Sequence, residues 1–294
     1  MSMEIADWVR AVERGLHLAA SFSIFGAILF RTVLARPVVP HLSDEAAERF
    51  DRSCSGLVWF NAEVAVFAAA AWLLMQGAYM SQSNTVGGTL EAVPAVLLGT
   101  AFGHLLLLRL VLLGAAVALF RTGWDGARGW AALLLAGAGV ALHAGTGHGA
   151  AMEGGFGTLL TAALALHLTA AAAWLGSLVP LVLLLRDAPQ ETTDIAKRRF
   201  APFGLACVVT LAVTALFQGE TVIGSWEALW RTEYGLWAVT KMVLFVLLLM
   251  FAAANQLLLT ETRLRTSVAL EAATGLLVVL AASVLVNLPP PMHG

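Results

Sequence analysis

Eight stretches of this chain are each long and apolar enough to cross a lipid bilayer, and no other feature restricts its fold so severely. A hydrocarbon core of about 30 Å needs ~20 apolar residues per spanning helix. Stretches near 8–30, 57–80, 101–120, 129–148, 157–185, 201–218, 234–258 and 268–287 meet that requirement. Hydrophobic residues make up 59% of the 294 positions and charged residues only 12%, with a mean hydropathy of +0.82. That is too little charge to clothe a soluble domain of this size, so the expected class is an all-α integral membrane protein. The longest polar segments, 31–56 and 186–200, are charged, Pro-punctuated connectors, leaving 1–294 as a single membrane domain.

Basic residues orient the spans. Arg31, Arg36, Arg49 and Arg52 fall between the first and second stretches, and Arg121 and Arg128 between the third and fourth. Arg186, Lys197, Arg198 and Arg199 separate the fifth and sixth, and Arg263 and Arg265 the seventh and eighth. Twelve of the 17 Lys and Arg residues therefore sit in four alternate loops, while the three opposite loops hold only Arg231. Basic loops stay on the cytoplasmic side, so both termini are expected outside. The N-terminus lacks a basic n-region and a small-residue cleavage site, and no cleaved signal is expected.

On this topology six of the seven histidines lie outside or at mid-depth, and only His41 is cytoplasmic. His143 sits near the outer end of the fourth stretch, His148 at its exit, His104 at the outer start of the third and His293 in the tail. His17 and His167 are each about ten residues into their helices, or ~15 Å deep. Met75, Met80, Met152, Met242 and Met292 also fall in the outer half or outside. Imidazole with thioether is a ligand set that suits copper.

Other classes are poorly served. A net charge of −2 offers no surface for nucleic acid. Cys54 and Cys207 are isolated, with no CxxC or CPC pattern, which argues against a disulfide scaffold or a thiolate metal pump. There is no GxxxxGK[ST] loop, and no enzyme activity is expected; transport would run downhill or be coupled to an ion.

The halves of the chain resemble each other. His17 is followed nine positions later by Gly26, and His167 nine positions later by Gly176. Arg49-Phe50 matches Arg199-Phe200, and Gln76-Gly77 matches Gln218-Gly219. Thr100-Ala101-Phe102-Gly103 with Arg109 matches Thr232-Glu233-Tyr234-Gly235 with Lys241. A duplicated four-helix unit follows, with repeat one over 1–150 and repeat two over 151–294. An even number of spans gives both copies the same orientation, related by a pseudo-twofold axis along the membrane normal. The repeat sets His17 against His167 at equal depth, and Arg109 against Lys241. Residues 89–99 read as an interfacial helix.

The second half carries Thr146-Gly147-His148-Gly149-Ala150, then Ala165-Leu166-His167-Leu168-Thr169-Ala170-Ala171-Ala172-Ala173-Trp174-Leu175-Gly176-Ser177-Leu178. These segments resemble the GHAA and HLLAAAxWLGGL motifs of the CopD/PcoD copper-resistance family of bacterial inner-membrane proteins. Thr232, Tyr234, Gly235 and Lys241, and the run Pro289-Pro290-Pro291, are similar to that family too. Gly149 and Ser177 depart from its more usual Ala and Gly, each a small-for-small change. The resemblance implies eight spans and copper movement from periplasm to cytoplasm. It carries the family's histidines onto His148 and His167 alone.

Two readings of the midplane pair stand side by side. In the first, external His143, His148, Met152 and Glu153 capture copper and pass it to His17 and His167, with Met242 or His104 as a third ligand. In the second, His17 and His167 hold haem b axially, as in b-type cytochromes within helical bundles. A protein that senses or holds soluble copper-binding partners is a third. The expected partners are membrane lipid and, for transport, a periplasmic copper-binding protein. Arg14 reads as snorkelling to the outer interface, and Arg109 and Lys241 as snorkelling or as setting the electrostatics of a cavity. Glu63 is a candidate partner for Arg109 or a proton site.

Overall fold

The computed structural model describes residues 5–83, 85–147, 150, 152, 154–186, 188–223, 225–257, 261–288 and 291. Ten α-helices run through them: α1 Ile5–Leu29, α2 Asp44–Ser81, α3 Val86–Gly99, α4 Ala101–Arg121, α5 Gly126–Ala141, α6 Gly154–Leu185, α7 Gln190–Ile223, α8 Trp226–Arg231, α9 Glu233–Leu257 and α10 Glu261–Asn287. Eight of these elements are long and apolar enough to span, α1 being extended by a π-helical turn over Phe30–Leu34 and α5 by a 3-10 turn over Leu142–Thr146. Among the described residues there is no strand. The chain is a multi-pass membrane protein.

Successive long helices run antiparallel. α3 and α8 are too short to span and lie at the end of the bundle where α1 begins; the Arg-rich connections lie at the other. The long helices outrun their apolar stretches. α2 has 38 residues, about 57 Å at 1.5 Å per residue, against a hydrocarbon core of about 30 Å. Segment 44–56, expected as connector, is helical because Ser43 caps Ala46 N–H, Asp44 and Glu45 occupy the first turn, and Ala46, Phe50 and Cys54 continue the buried stripe one turn apart. α7 starts early for the same reason, with Thr193, Ala196, Phe200 and Gly204 on its buried face. Phe50 and Phe200 both pack their rings on Phe30, at 6.2 and 6.5 Å between centroids.

α1 and α6 form the centre. Of their most apolar windows 72% and 67% are buried within the protein, against 6% for α9. Lipid tails are as apolar as leucine, so helices in a membrane associate through close packing and hydrogen bonds rather than hydrophobic burial. The α1–α6 contact is the extreme case. A Cβ added at Gly26 would lie 2.1 Å from the Gly176 carbonyl carbon, and one at Gly176 would lie 2.1 Å from the Phe22 oxygen. Pro180 lacks the N–H that would bond the Gly176 carbonyl four residues back. That carbonyl instead faces α1, while Ser177 donates to the Gly26 oxygen at 3.3 Å.

The Thr-x-x-Gly segments also do matched work. Thr100 Oγ1 accepts from Gly103 N–H and donates to Val96 O; Thr232 Oγ1 accepts from Gly235 N–H and donates to Ala228 O. Both glycines sit where a Cβ would strike backbone oxygens at 2.2–2.3 Å, so each corner between a short and a long helix is drawn tight.

Replacing Gly26 by Ala puts a methyl group against backbone that cannot yield. Overpacking of a close contact costs about 1–3 kcal/mol, and Gly26→Ala is expected at or beyond the upper end. Gly114, with open space around it, provides the control. Thermal unfolding in detergent should show Gly26→Ala melting well below both wild type and Gly114→Ala; equal midpoints would show that the crossing is looser than described.

Candidate functional site

Nine residues are two and a half helical turns, so a residue nine positions from another points to the opposite face of its helix. Gly26 faces α6; His17 must therefore face away from it. It does, with Nδ1 lying 2.9 Å from the Ala65 carbonyl of α2. His167 is turned in the same way from Gly176 and sits 2.8 Å from Thr214 Oγ1 of α7. The expected His17–His167 pair is thus not formed, because equal depth says nothing about rotation. Each imidazole is engaged within its own half.

The partners fix the tautomers. A carbonyl only accepts, so His17 Nδ1 carries the proton and donates to Ala65. His17 Nε2 is then a bare lone pair. It is fully buried and has no hydrogen-bond partner among the described residues. Thr214 donates its hydroxyl proton to Thr210 O at 2.7 Å, so it accepts from His167 Nδ1–H and leaves His167 Nε2 as the unprotonated nitrogen. Holding one ring nitrogen by a hydrogen bond is how proteins prepare the other for a metal.

The third imidazole at this level is His143. Read from sequence as external or nearly so, it is only 2% exposed. α5 ends at Ala141, and the following 3-10 turn swings the ring inward beside His17, with centroids 5.2 Å apart and planes at 47°. Arg109 Nη1 donates to His143 Nδ1 at 2.8 Å, since guanidinium has no acceptor. His143 Nε2–H therefore donates to Ser21 Oγ at 3.2 Å, and Ser21 donates to the His17 carbonyl at 2.7 Å. His17, Ser21, His143 and Arg109 form one chain of hydrogen bonds joining α1, α4 and the end of α5.

Arg109 does not snorkel. It is fully buried, bonded to Leu105 O and His143, with Nη2 unpartnered and its guanidinium 5.4 Å from the Trp72 ring. Among the described residues no carboxylate pairs with it, and Glu63 lies on the exposed face of α2. Arg14 lies 5.5 Å from the same Trp72 ring and reaches toward Thr146. A cavity of about 310 Å³, lined by Arg10, Arg14, Trp72, Gln76, Thr146 and Asn287 among others, opens above this network at the α3 end. Lys241 of α9 is half-buried.

The other candidates are elsewhere. His104 is exposed and ties α4 to α3 through the Leu98 carbonyl at 2.8 Å, and Met242 is 49% exposed on α9. Neither joins the buried imidazoles. Met152 is half-buried ahead of α6, while His148 and Glu153 lie outside the described residues. Among the described residues no three His, Cys, Asp or Glu side chains gather as a metal cage. Beside the free nitrogen of His17 lies a second imidazole, His143, which becomes a donor when Arg109 leaves its Nδ1. Sequence reasoning missed Ser21 and Trp72. The available signals were a hydroxyl one turn after His17 and a tryptophan deep in a span rather than at a belt.

Comparison with known proteins agrees with this picture. Residues 5–158 match the family described as "Copper resistance protein D-like, N-terminal domain", and residues 195–285 match "Copper resistance protein D". The chain is 36% identical over 134 residues to the "Copper transport protein CutJ" of Bacillus subtilis (strain 168), an alignment covering 43% of this chain and 25% of that protein. The chain thus spans about a quarter of the length of that relative. No solved structure matches. With its first family match alone extending over more than half of its length, the chain belongs to the copper resistance protein D family.

Proposed function

We propose that this protein carries copper across the bacterial inner membrane, from the α3/α8 side, which faces the periplasm, toward the Arg-rich cytoplasmic side. The observation that carries the reading is the buried, unpartnered Nε2 of His17, held as a lone pair by Ala65 and set beside His143. An intramembrane ionisable residue facing the bundle interior marks a substrate pathway. Imidazole is a ligand that copper accepts. A site with few ligands suits cargo, which must bind well enough to enter and weakly enough to leave. Transport, rather than catalysis, fits a chain built almost wholly of spanning helices.

Copper entering through the cavity above Trp72 meets His17 Nε2 first. To gain His143 as well it must displace Arg109 from Nδ1, the ring nitrogen that holds the lone pair. Arg109 is cationic, so its withdrawal and the arrival of a metal cation reinforce each other. His167 in the second half, with its own bare Nε2, is the next donor along the route. A periplasmic copper-binding protein is the fitting source of cargo. The haem reading is not supported: axial ligation needs two imidazoles facing across a planar slot, and His17 and His167 face into separate halves.

The halves are further read as parallel repeats about an axis through the Gly26–Gly176 contact. Symmetry-related residues touch only on such an axis. The matched Thr corners and the matched Nδ1–H histidines support this arrangement. Both termini then lie in the periplasm. Fusions at the C-terminus test it: alkaline phosphatase should be active and green fluorescent protein dark, whereas the reverse pattern would invert the topology and the direction of transport.

His17→Ala removes the free donor and should reduce copper uptake into proteoliposomes by about tenfold or more, a loss corresponding to at least ~1.4 kcal/mol. Ser21→Ala leaves both rings but frees His143 to turn; loss of such an orienting partner weakens metal affinity by about 10–100-fold. His104→Ala should change neither. Uptake by His17→Ala at the wild-type rate would remove His17 from the pathway.

A further inference from the structure

A second buried polar group lies in the other half, away from the histidines. Glu271 of α10 is 2% exposed and Asn255 of α9 is 6% exposed. Asn255 Nδ2 donates to Glu271 Oε2 at 2.7 Å, and Trp174 of α6 lines the same cavity as the carboxyl. Among the described residues neither Glu271 Oε1 nor Asn255 Oδ1 has a partner. Both residues line a cavity of about 220 Å³ whose other walls are almost wholly apolar, among them Leu178, Phe200 and Val268. Among the described residues the only other charged one lining it is Lys197 of α7, on the side of the Arg-rich end, and α6 and α9 contribute no charge to it. On α10 itself Arg265 is turned away to the Arg186 carbonyl.

An unpaired carboxylate in such surroundings is costly, since burying an uncompensated charge is far more expensive than burying a satisfied polar group. A proton on Oε1 removes the charge. The same carboxyl can release that proton into a cavity that leads toward Lys197, while Asn255 steadies the anion that remains. Trp174 connects this group to the copper route. It lies seven residues, two turns, after His167 and therefore on the same face of α6, about 10 Å along the axis. A change of charge on Glu271, in the cavity that Trp174 also lines, acts on the helix that presents His167.

We propose that Glu271, with Asn255 and Trp174, is a proton-binding site loaded from the Arg-rich side, and that its protonation is coupled to copper movement through α6. The coupling rests on the transport reading above; the proton site does not. One proton binds Glu271 Oε1 from water and returns to water, with no other reactant required.

Two measurements on the full-length protein test it. Infrared difference spectra between high and low pH, in membranes without copper, should contain a carboxyl C=O band that shifts in D2O, is lost in Glu271→Gln, and moves its titration midpoint in Trp174→Phe. In proteoliposomes with a pH-sensitive dye, copper uptake should be accompanied by proton movement in wild type and not in Glu271→Gln, which should still bind copper as wild type does. A carboxyl band unchanged in Glu271→Gln, or proton movement undiminished in that variant, would overturn the proposal. So would a response to sodium ions with none to protons. Wild-type protein that shows the band but neither binds nor moves copper would leave the proton site standing and sink the transport reading and the coupling together.

Discussion

The contact of Gly26 with Gly176 determines where everything else can go. Two helices whose backbones meet fix each other's rotation as well as their separation. With α1 and α6 locked in this way, the faces opposite the glycines must look outward into their own halves, and those faces carry His17 and His167. The central pair of helices thus separates the two imidazoles instead of joining them. The imidazoles are distributed around α1 and α6, not between them.

Low polarity sharpens the consequences. In a membrane interior a hydrogen bond to one ring nitrogen is kept, because no water competes for it. Ala65 and Thr214 are therefore enough to set which nitrogen of His17 and His167 carries a proton. The same logic makes Arg109 informative. A buried guanidinium with one amino group unpartnered and no carboxylate beside it is costly to hold. It is placed where it occupies the one nitrogen that His143 could offer a metal. The resting arrangement resembles a guarded site, with one donor open and the next covered by a cation.

Much of the fold was legible in the chain. Twenty-residue apolar runs fixed the number of spans, and the Thr-x-x-Gly recurrence marked both helix corners. The starts of α2 and α7 were hidden because charged segments such as 44–56 look like connectors until Phe50 and Cys54 are seen to continue a buried stripe. At the site, hydropathy supplied depth and nothing about azimuth. The pairing of His17 with His167 was inferred from the repeat and equal depth, when the nine-residue spacing to Gly26 and Gly176 sets each on the face opposite its glycine. His143 looked external because it sits near the outer end of its apolar stretch; the 3-10 turn folds it inward instead. Arg109 looked able to snorkel because depth along a helix does not reveal an imidazole waiting on the neighbouring one.

The most direct test of the central claim is X-ray absorption at the copper edge on the purified, copper-loaded protein, comparing wild type with His17→Ala. The expected wild-type spectrum has nitrogen neighbours near the ~2.0–2.1 Å typical of metal–imidazole bonds, with the outer-shell scattering of an imidazole ring, and that scattering falls in His17→Ala. A wild-type spectrum dominated by sulfur, or one unaltered by removing His17, would contradict a pathway that begins at the free nitrogen of that histidine.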